Sequence, residues 1–357
     1  MAEKFSLKDH LFNADTIAQL AAEYARVDGF DPARFQAETL AGFADRELMQ
    51  RLEWIADCAE TQLAPDFPTM AQQLRRAMPA KLDPTKTDDD FGQFIHAVPG
   101  ILAVRHGLED HRDIALDLIE EATQCFSMEF YIRPFLNRWS DATLQRLKTW
   151  ATHPNYHVRR LVSEGTRPRL PWAANILLHY KDAIPLLDQL HADPTRYVTR
   201  SVANHLNDIT KKDADAVLAL LQHWKSEKRQ DAKELTWMTK HALRSLIKQG
   251  HAGAMKILGY HPDAKISVEK FVCSKSVKRG AAADITLSLS ATKATPVLID
   301  YVIHFVKANG STAPKVFKWK QTILQPYAPL DLTKSHRFKA DATTFTLHPG
   351  RHASSCK

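Results

Sequence analysis

The chain of 357 residues has 44% hydrophobic and 25% charged residues, a composition typical of a folded protein with a sizeable core. This length predicts two domains, or one repeat array with an added module. No apolar run approaches the roughly 18 residues that a membrane span needs. Residues 1–5 also lack the apolar segment of a secretory signal. These features exclude disordered, membrane-spanning and secreted proteins, so we expect a cytoplasmic location.

The net charge of +7 is unevenly distributed along the chain. Residues 265–357 contain 15 Lys or Arg and 5 Asp or Glu, a net charge of +10, whereas residues 1–264 carry a net charge of −3. Such an asymmetry predicts a polyanionic partner, with nucleic acid first and a membrane surface second. The alternative is a solvated basic surface that only aids solubility.

Helical periodicity dominates residues 1–262. Apolar residues recur at i, i+3, i+4 and i+7 in the segments Ile17–Tyr24 and Val217–Trp224, which predicts amphipathic helices. Pro154 and Pro194 each follow a short break, and proline in the first turn of a helix loses no needed hydrogen bond. We therefore predict that two further helices begin at these prolines.

The helical region repeats itself with a period near 40. His153–Val162 aligns with Asp193–Val202 at an offset of 40, and a third copy is predicted around Arg244, 44 residues after Arg200. A period of this length made of helix pairs is typical of HEAT or armadillo arrays, which stack into a solenoid with a concave groove. The recurring Arg160, Arg200 and Arg244 either line that groove or brace helix pairs through salt bridges.

Beyond residue 262 the apolar period changes to two. Alternation in Ile285–Leu289, Ile299–Phe305 and Phe317–Trp319, with a turn signal at Asn309–Gly310, predicts antiparallel strands, and Phe345 and Leu347 continue the pattern. We predict a small immunoglobulin-like β-sandwich over residues 263–357, after a helical domain over 1–262. The pattern is one strand short at residues 353–357, so we expect a truncated or altered last strand.

The sequence contains no recognisable metal or nucleotide motif. His153 and His157 have i, i+4 spacing, but Pro154 lies between them and no third ligand follows. Neither a Walker loop nor a GxGxxG sequence is present. The four cysteines form neither a CxxC pair nor a zinc spacing, so we expect reduced thiols, no metal and no cofactor. These cysteines are Cys58, Cys125, Cys273 and Cys356.

Four segments of the helical region carry a family resemblance. Ser127–Leu136, Val158–Trp172, Ser201–Ile209 and His241–His251 resemble the AlkC branch of the HEAT-like DNA alkylation repair glycosylases, and the string from Arg159 to Trp172 is the most specific. The resemblance covers most of the chain, and an added sandwich fits that branch. It implies a mainly α fold, a HEAT-like solenoid followed by a small immunoglobulin-like β-sandwich.

The resemblance also implies a reaction. Members of this family hydrolyse the N-glycosidic bond of cationic alkylated bases, notably 3-methyl bases, in double-stranded DNA, without extruding the base fully into a pocket. No metal or nucleotide cofactor takes part. We therefore expect a base-excision repair enzyme in the bacterial cytosol, associated with the nucleoid. A monomer is expected, because a sandwich that clamps DNA needs no second copy.

This chemistry requires a carboxylate near the sugar. The transition state places positive charge on the sugar, as in glycoside hydrolysis, and a carboxylate stabilises that charge or orients water. Glu164 is the first candidate, because it is the only acid in a stretch with four arginines, which keep it ionised. Glu129 is second, and i, i+4 spacing places it on one helical face with Arg133. Weaker candidates are Glu121 and Asp208; each acid could instead serve only in an ion pair.

Contacts to DNA require cations for the phosphates and aromatic faces for a cationic base. Trp172 follows a proline in an Arg- and Pro-rich loop, which favours a binding role, whereas Trp139 and Trp150 are predicted core residues. The predicted DNA-binding residues are Arg133, Arg159, Arg160, Arg167, Arg169, Trp172, Arg200, Asn204, His205, Lys211 and Arg244.

Three functions compete for a chain of this kind, because one solenoid fold serves many functions. A glycosylase releases a methylated base and depends on Glu164 or Glu129. A non-catalytic DNA-binding solenoid has strongly salt-dependent affinity for DNA without base release. A protein–protein scaffold has no cluster of acids and aromatic residues beside arginines in one groove. The match of residues 127–173 favours the enzyme.

Overall fold

A computed structural model of the chain describes residues 6–86, 91–261, 263–339, 346–350 and 352–356. The chain divides into two compact units, Met1–Ala242 and Leu243–Lys357. Two short helices that precede the strands therefore group with the second unit. The domain limits 1–262 and 263–357 stay a prediction, although the change from helix to strand falls where the sequence places it.

The first unit is built from short α-helices joined by tight turns. Many of them begin at a polar side chain that accepts hydrogen bonds from the first backbone N–H groups, as Asn13, Asp31 and Asp213 do. No helix in the described ranges is long and apolar enough to cross a membrane. The helices are α1 (Leu7–Leu11), α2 (Ala14–Tyr24), α3 (Pro32–Ala41), α4 (Leu48–Glu60), α5 (Phe67–Ala77), α6 (Val98–Gly107), α7 (Arg112–Ala122), α8 (Ile132–Arg138), α9 (Ser140–Trp150), α10 (Tyr156–Gly165), α11 (Tyr180–Leu190), α12 (Arg196–Ile209), α13 (Ala214–Glu227) and α14 (Ala232–Ala242), with a 3₁₀ helix at Phe94–Ala97.

Both predicted amphipathic faces are present, on α2 and α13. All four periodic residues of Ile17–Tyr24 are buried. On α13 the buried set includes Leu218, whereas Leu220 is only partly buried. The two prolines do not lie where predicted, because Asn155 caps α10 and Thr195 precedes α12. Each proline therefore lies just before the cap instead of in the first turn.

Successive helices of the repeat pack side by side, with α12 between α10 and α14. Arg159 of α10 donates to Asp193, which lies just before α12, at an Nε–Oδ2 distance of 2.5 Å. Arg196 of α12 is paired in the same way with Glu234 of α14. Neighbouring units are thus braced by Arg159 and Arg196, which are not the recurring arginines of the predicted repeat.

The described residues of the second unit form two short helices and two antiparallel sheets. The sheets have the strand orders β1-β2-β5 and β4-β3-β6. Inward-facing residues such as Leu287 and Ile299 form the core between them, so the predicted alternation is confirmed. Gly310, at φ 77, closes the predicted turn between β3 and β4. The elements are α15 (Arg244–Gln249), α16 (Ala252–Ile257), β1 (Ile266–Cys273), β2 (Ala282–Ala291), β3 (Thr295–Val306), β4 (Thr312–Leu324), β5 (Leu330–Arg337) and β6 (Ala353–Cys356).

The end of the chain differs from the prediction. Residues 353–356 form the short strand β6, which pairs with β3 from Tyr301 to His304. The segment expected to lack a strand therefore supplies one. Leu347 lies outside any strand, and Phe345 lies outside the described residues. The four cysteines, all within the described ranges, form no disulfide with one another.

Two buried histidines predict acid sensitivity of the helical unit. His157 and His205 are almost fully buried, and burial lowers the pKa of each to about 4, with the charge of Arg160 adding to the effect on His157. The unfolded chain therefore binds more protons between pH 4 and pH 6.5. Each neutral histidine therefore contributes about 3 kcal/mol to the pH-dependent part of the free energy of unfolding. This contribution is fully present above pH 6.5 and is lost as the pH falls towards 4.

Urea unfolding between pH 4.5 and pH 7.5 tests this prediction. His157→Phe keeps an aromatic ring against Tyr156 and Tyr197 and removes one of the two titrating groups. We expect the free energy of unfolding of this variant to vary less with pH than that of the wild type. An unchanged pH dependence would show that His157 does not contribute.

Candidate active site

A chain of alternating charges lies between α10, α12 and the turn before α8. Its carboxylates belong to Glu129, Glu164 and Asp208, and its cations belong to Arg160, Arg167 and Lys211. The order from one end is Glu129, Arg160, Glu164, Arg167, Asp208 and Lys211. The formal charges of these six side chains balance. Most of the six are shielded from water, so the electrostatic interactions among them are stronger than those between exposed charges.

Arg160 occupies the centre of this cluster. It lies on α10, where its guanidinium donates to the Ser127 hydroxyl at 2.6 Å and to the Glu129 carboxylate at 3.3 Å. Its Nη2 is 3.8 Å from Glu164 Oε2. The Tyr197 ring of α12 supports it from below, with the guanidinium carbon 4.4 Å from the ring centroid. These contacts fix Arg160 between two carboxylates.

Glu164 lies in the last turn of α10 and has both oxygens engaged. Oε1 accepts from Arg167 at 2.5 Å, and Oε2 accepts from the Ser201 hydroxyl at 2.6 Å. Burial would raise the pKa of Glu164, but the charges of Arg160 and Arg167 outweigh it and hold that pKa below its usual value. Glu164 is therefore an ionised carboxylate at neutral pH, as the sequence predicts.

Glu129 differs from Glu164 in the direction of its pKa shift. Burial, together with the nearby Glu164 charge, raises the pKa of Glu129 above its usual value, although Arg160 opposes the shift. Its side chain is 15% exposed, against 6% for Glu164. The two carboxylates on either side of Arg160 thus differ in the direction of their pKa shifts and in access to solvent.

Arg167 joins Glu164 to the second repeat. Besides Glu164, it contacts Asp208 of α12, with both Nε and Nη2 3.0 Å from Oδ2. The other oxygen of Asp208 accepts from Lys211 at 3.1 Å. The buried Asp208 thus belongs to the cluster, and Lys211, 40% exposed, ends it at the surface.

The segment between α10 and α11 presents apolar side chains to solvent. Trp172 is 64% exposed and has φ 64, a left-handed backbone that bulky residues rarely adopt. Leu177 is 79% exposed. Arg133 holds this segment from beneath, because its guanidinium donates to the carbonyls of Gly165, Arg167 and Ala174. A strained, exposed tryptophan on an anchored loop suits contact with another molecule.

Several predicted site residues have structural partners instead. Arg133 is 1% exposed, which contradicts the predicted contact with DNA, and it is bonded to backbone carbonyls instead of forming the alternative ion pair with Glu129. His205 is fully buried, with Nδ1 3.1 Å from the Ser163 carbonyl, which also contradicts a DNA contact. Glu121 is paired with Arg75 of α5, away from the charge chain. Arg244 begins α15, so it is not equivalent to Arg160 and Arg200 within their helices.

The remaining predicted DNA contacts fall into three groups. Arg159 is held by Asp193 and the carbonyls of residues 153 and 154, so it serves as a brace between repeats. Arg200 contacts the same Tyr197 ring as Arg160, with its guanidinium carbon 5.5 Å from the ring centroid. Asn204 is hydrogen-bonded to His241. Arg169 lies exposed on the loop that carries Trp172.

Three residues that shape the cluster were not predicted from the sequence. Ser127 and Ser201 orient Arg160 and Glu164, and Tyr197 lies beneath Arg160. Ser127 and Ser201 lie in the segments that carry the family resemblance, so those segments contained a signal. Tyr197 lies at the start of the second repeat copy, but nothing in its spacing indicates contact with an arginine 37 residues earlier.

Comparison with known proteins finds similarities for both parts of the chain. Residues 267–356 match the family model described as the C-terminal Ig-like domain of the uncharacterised protein YhaZ. The chain is 34% identical over 249 residues to the uncharacterized protein YhaZ of Bacillus subtilis (strain 168), covering 69% of this chain and 68% of that protein. Its structure resembles that of the alkylpurine DNA glycosylase AlkC of Pseudomonas fluorescens, solved with DNA containing an abasic site analog. The TM-score is 0.87 at 30% identity, over 99% of this chain and 96% of the other.

A further similarity is weak. AlkD2 from Streptococcus mutans matches at 19% identity and a TM-score of 0.32, over 64% of this chain and 97% of that one, which is too low to carry an argument. The predicted fold is a helical repeat array followed by an immunoglobulin-like module. It is confirmed by the structure, by the family model over residues 267–356 and by the similarity to the AlkC structure. The chain therefore belongs to the AlkC family of HEAT-like-repeat alkylpurine DNA glycosylases.

Proposed function

We propose that this protein is a DNA glycosylase that hydrolyses the N-glycosidic bond of cationic alkylated bases, such as 3-methyladenine and 3-methylcytosine, in double-stranded DNA. The observation that carries the proposal is the buried ionised Glu164 between Arg160 and Arg167, in a chain whose solved relative is an alkylpurine DNA glycosylase. The protein acts as a monomer in the bacterial cytosol.

The chemistry follows from the charge of the leaving group. A 3-methylated base already carries a positive charge and departs readily, so the enzyme has mainly to stabilise the cationic sugar. A carboxylate held ionised in a poorly hydrated site stabilises such a cation without reorganising during the reaction. Glu164 supplies this negative charge, and Ser201 and Arg167 keep it in place.

Glu129 is suited to the attacking water. It is the more exposed of the two glutamates, and its raised pKa brings it closer to the range in which a carboxylate exchanges protons. Arg160 keeps it oriented at 3.3 Å. Glu164 thus provides charge, and Glu129 orients the water and accepts its proton.

The DNA is held by the exposed groups around this cluster. Trp172 offers an aromatic face for a cationic base or for a sugar, and Arg169 on the same loop offers a phosphate contact. Lys211 marks the other side of the cluster. We expect base release without full base flipping, as the family resemblance implies.

Base release from duplex DNA containing 3-methyladenine or 3-methylcytosine tests the proposal. Unmodified duplex of the same sequence is the control. Release of the free methylated base under single-turnover conditions is the expected result. Binding of lesion-containing DNA by the folded protein without base release would indicate a non-catalytic DNA-binding protein. If the folded protein binds no DNA, a protein–protein scaffold would be the favoured function.

The non-catalytic binder is the second candidate, and one observation favours it. Both oxygens of Glu164 already accept hydrogen bonds from side chains of the protein, which is typical of a carboxylate that holds a loop. Such a protein would recognise a lesion and leave the glycosidic bond intact. Its affinity for DNA would fall steeply with salt, as for the enzyme, so base release is the deciding measurement.

The basic sandwich is predicted to clamp DNA. Deleting residues 265–357 removes a net charge of +10, and we expect weaker DNA binding and slower base release. The double variant Lys318→Gln/Lys320→Gln changes only two exposed side chains of β4 and keeps the fold. We expect it to reduce the slope of log K against log salt by about 1 for each phosphate that these lysines neutralise.

Fluorescence anisotropy over a series of salt concentrations measures that slope. Glu269→Gln, on exposed β1, is the matched control, because it changes an exposed strand residue of the opposite charge. If the deletion variant keeps its affinity for DNA and its rate of base release, the sandwich does not clamp DNA.

A further inference from the structure

Away from the charge chain, four potential metal ligands meet at the carboxyl ends of α11 and α13. Asp188 lies in the last turn of α11, and His223 and Glu227 lie one turn apart at the end of α13. One ligand atom from each of these three lies within 4.8 Å of the others. His223 Nε2 is 3.5 Å from Glu227 Oε1.

The fourth side chain, His191, is fully buried and points its Nε2 atom at this group. Its Nδ1 is 2.8 Å from the Asp188 backbone carbonyl, which can only accept, so Nδ1 carries the proton. In this tautomer of the neutral ring, Nε2 bears the lone pair. Among the described residues no hydrogen-bond partner reaches Nε2, yet Glu227 Oε2 lies 3.8 Å away.

Two lone-pair atoms that face each other at this distance repel unless a cation lies between them. A buried acceptor without a partner is itself costly. A histidine whose Nδ1–H is fixed by a backbone carbonyl, leaving Nε2 free, has the arrangement found in metal-binding histidines. The ring is also held by stacking on Trp224 at 4.3 Å, and Trp224 in turn donates to Asp188 Oδ1 at 2.7 Å.

We propose that Asp188, His191, His223 and Glu227 form a binding site for a zinc ion that joins α11 to α13. Two imidazole nitrogens and two carboxylate oxygens are a donor set that zinc accepts in tetrahedral geometry. Ligand atoms around such an ion lie about 3.4 Å apart, close to the 3.5 and 3.8 Å already present. The exposed side chains of Asp188 and His223 can close the remaining distance by rotation.

Arg229 is the neighbouring charge that competes with a metal ion. Its Nη1 is 3.7 Å from Asp188 Oδ2 and 3.7 Å from Glu227 Oε2. The side chain is 43% exposed, so the guanidinium can turn into solvent when an ion enters. Loss of this cation should therefore strengthen metal binding, whereas a purely structural ion pair predicts no such gain.

Calorimetric titration of the tag-free full chain, stripped with a chelator, tests the site with zinc chloride. We expect one zinc ion per chain and a raised unfolding temperature, with no comparable effect of magnesium or calcium, which prefer oxygen ligands. His223→Ala and Glu227→Gln should each weaken zinc binding at least about tenfold, and Arg229→Ala should strengthen it. Asp215→Asn, an exposed change on the same helix, is the matched control.

Substitution with cobalt(II) gives a second measurement that does not depend on enzymatic activity. Tetrahedral coordination produces a strong visible absorption band, which should be present in the wild type and absent in Glu227→Gln. The ¹⁵N resonance of His191 Nε2 should shift when zinc binds. A wild type that takes up no zinc, or zinc affinity unchanged by both His223→Ala and Glu227→Gln, would overturn the proposal. Base release is measured separately, so its presence or absence does not affect this result.

Discussion

Glu164→Gln is expected to lower the rate of methylated-base release by about 100-fold or more, the range seen when one preorganised electrostatic group is removed from an active site. The amide keeps the shape of the side chain and can still bond to Ser201 and Arg167. The substitution removes the negative charge of the carboxylate, which the two flanking arginines keep ionised. The decrease in rate therefore measures how much the Glu164 charge stabilises the cationic sugar. The affinity for undamaged DNA should change little.

Glu129→Gln is the comparison for this variant. The neutral amide cannot accept a proton from water, but it leaves the Glu164 charge in place, and because a 3-methylated base departs readily we expect a smaller decrease in rate than for Glu164→Gln. Glu121→Gln, which alters only a partly exposed ion pair with Arg75, should leave the rate unchanged. Single-turnover release from one 3-methyladenine duplex measures all three. Equal rates for Glu164→Gln and the wild type, with both proteins folded, would contradict the assignment of Glu164.

The local parts of the fold could be predicted because they depend on short spacings. The apolar residues of Ile17–Tyr24 are three or four apart, and this spacing alone specifies which face is buried. The strands of the sandwich are equally local, since alternate residues such as Ile285 and Leu287 face the core. Helix starts were predicted less well, because the cap at Asn155 and not the preceding proline decides where α10 begins.

The candidate site could be predicted only in part, because the type of a charged residue does not indicate whether it is buried. Glu164, Arg160 and Arg167 lie within eight residues of one another, so their clustering was evident. Arg133 has the same chemistry but points inwards to three backbone carbonyls. Asp208 joins the site through Arg167 across 41 residues, a distance that no local pattern encodes.

Arg167→Ala is expected to destabilise the helical unit by about 3–5 kcal/mol, because it removes one partner of a buried network and leaves one negative charge in excess there. Glu164 and Asp208 are 6% and 4% exposed at their side chains, and both lose their shared cation. Lysine cannot replace it fully, since a single ammonium does not span two carboxylates as the planar guanidinium does. Arg167→Lys should therefore recover only part of the stability.

Urea unfolding at pH 7.5 measures this cost, with Arg138→Ala as the matched control. Arg138 pairs with Glu109 at the surface, where both side chains are at least half exposed, so its removal should cost about 1 kcal/mol or less. In the double variant Arg167→Ala/Asp208→Asn one stranded charge is also removed, and we expect it to be more stable than Arg167→Ala alone. If Arg167→Ala were no more destabilising than Arg138→Ala, the charge chain would contribute little to the fold, and the position of Glu164 during catalysis would have to be maintained by the packing of α10 against α12.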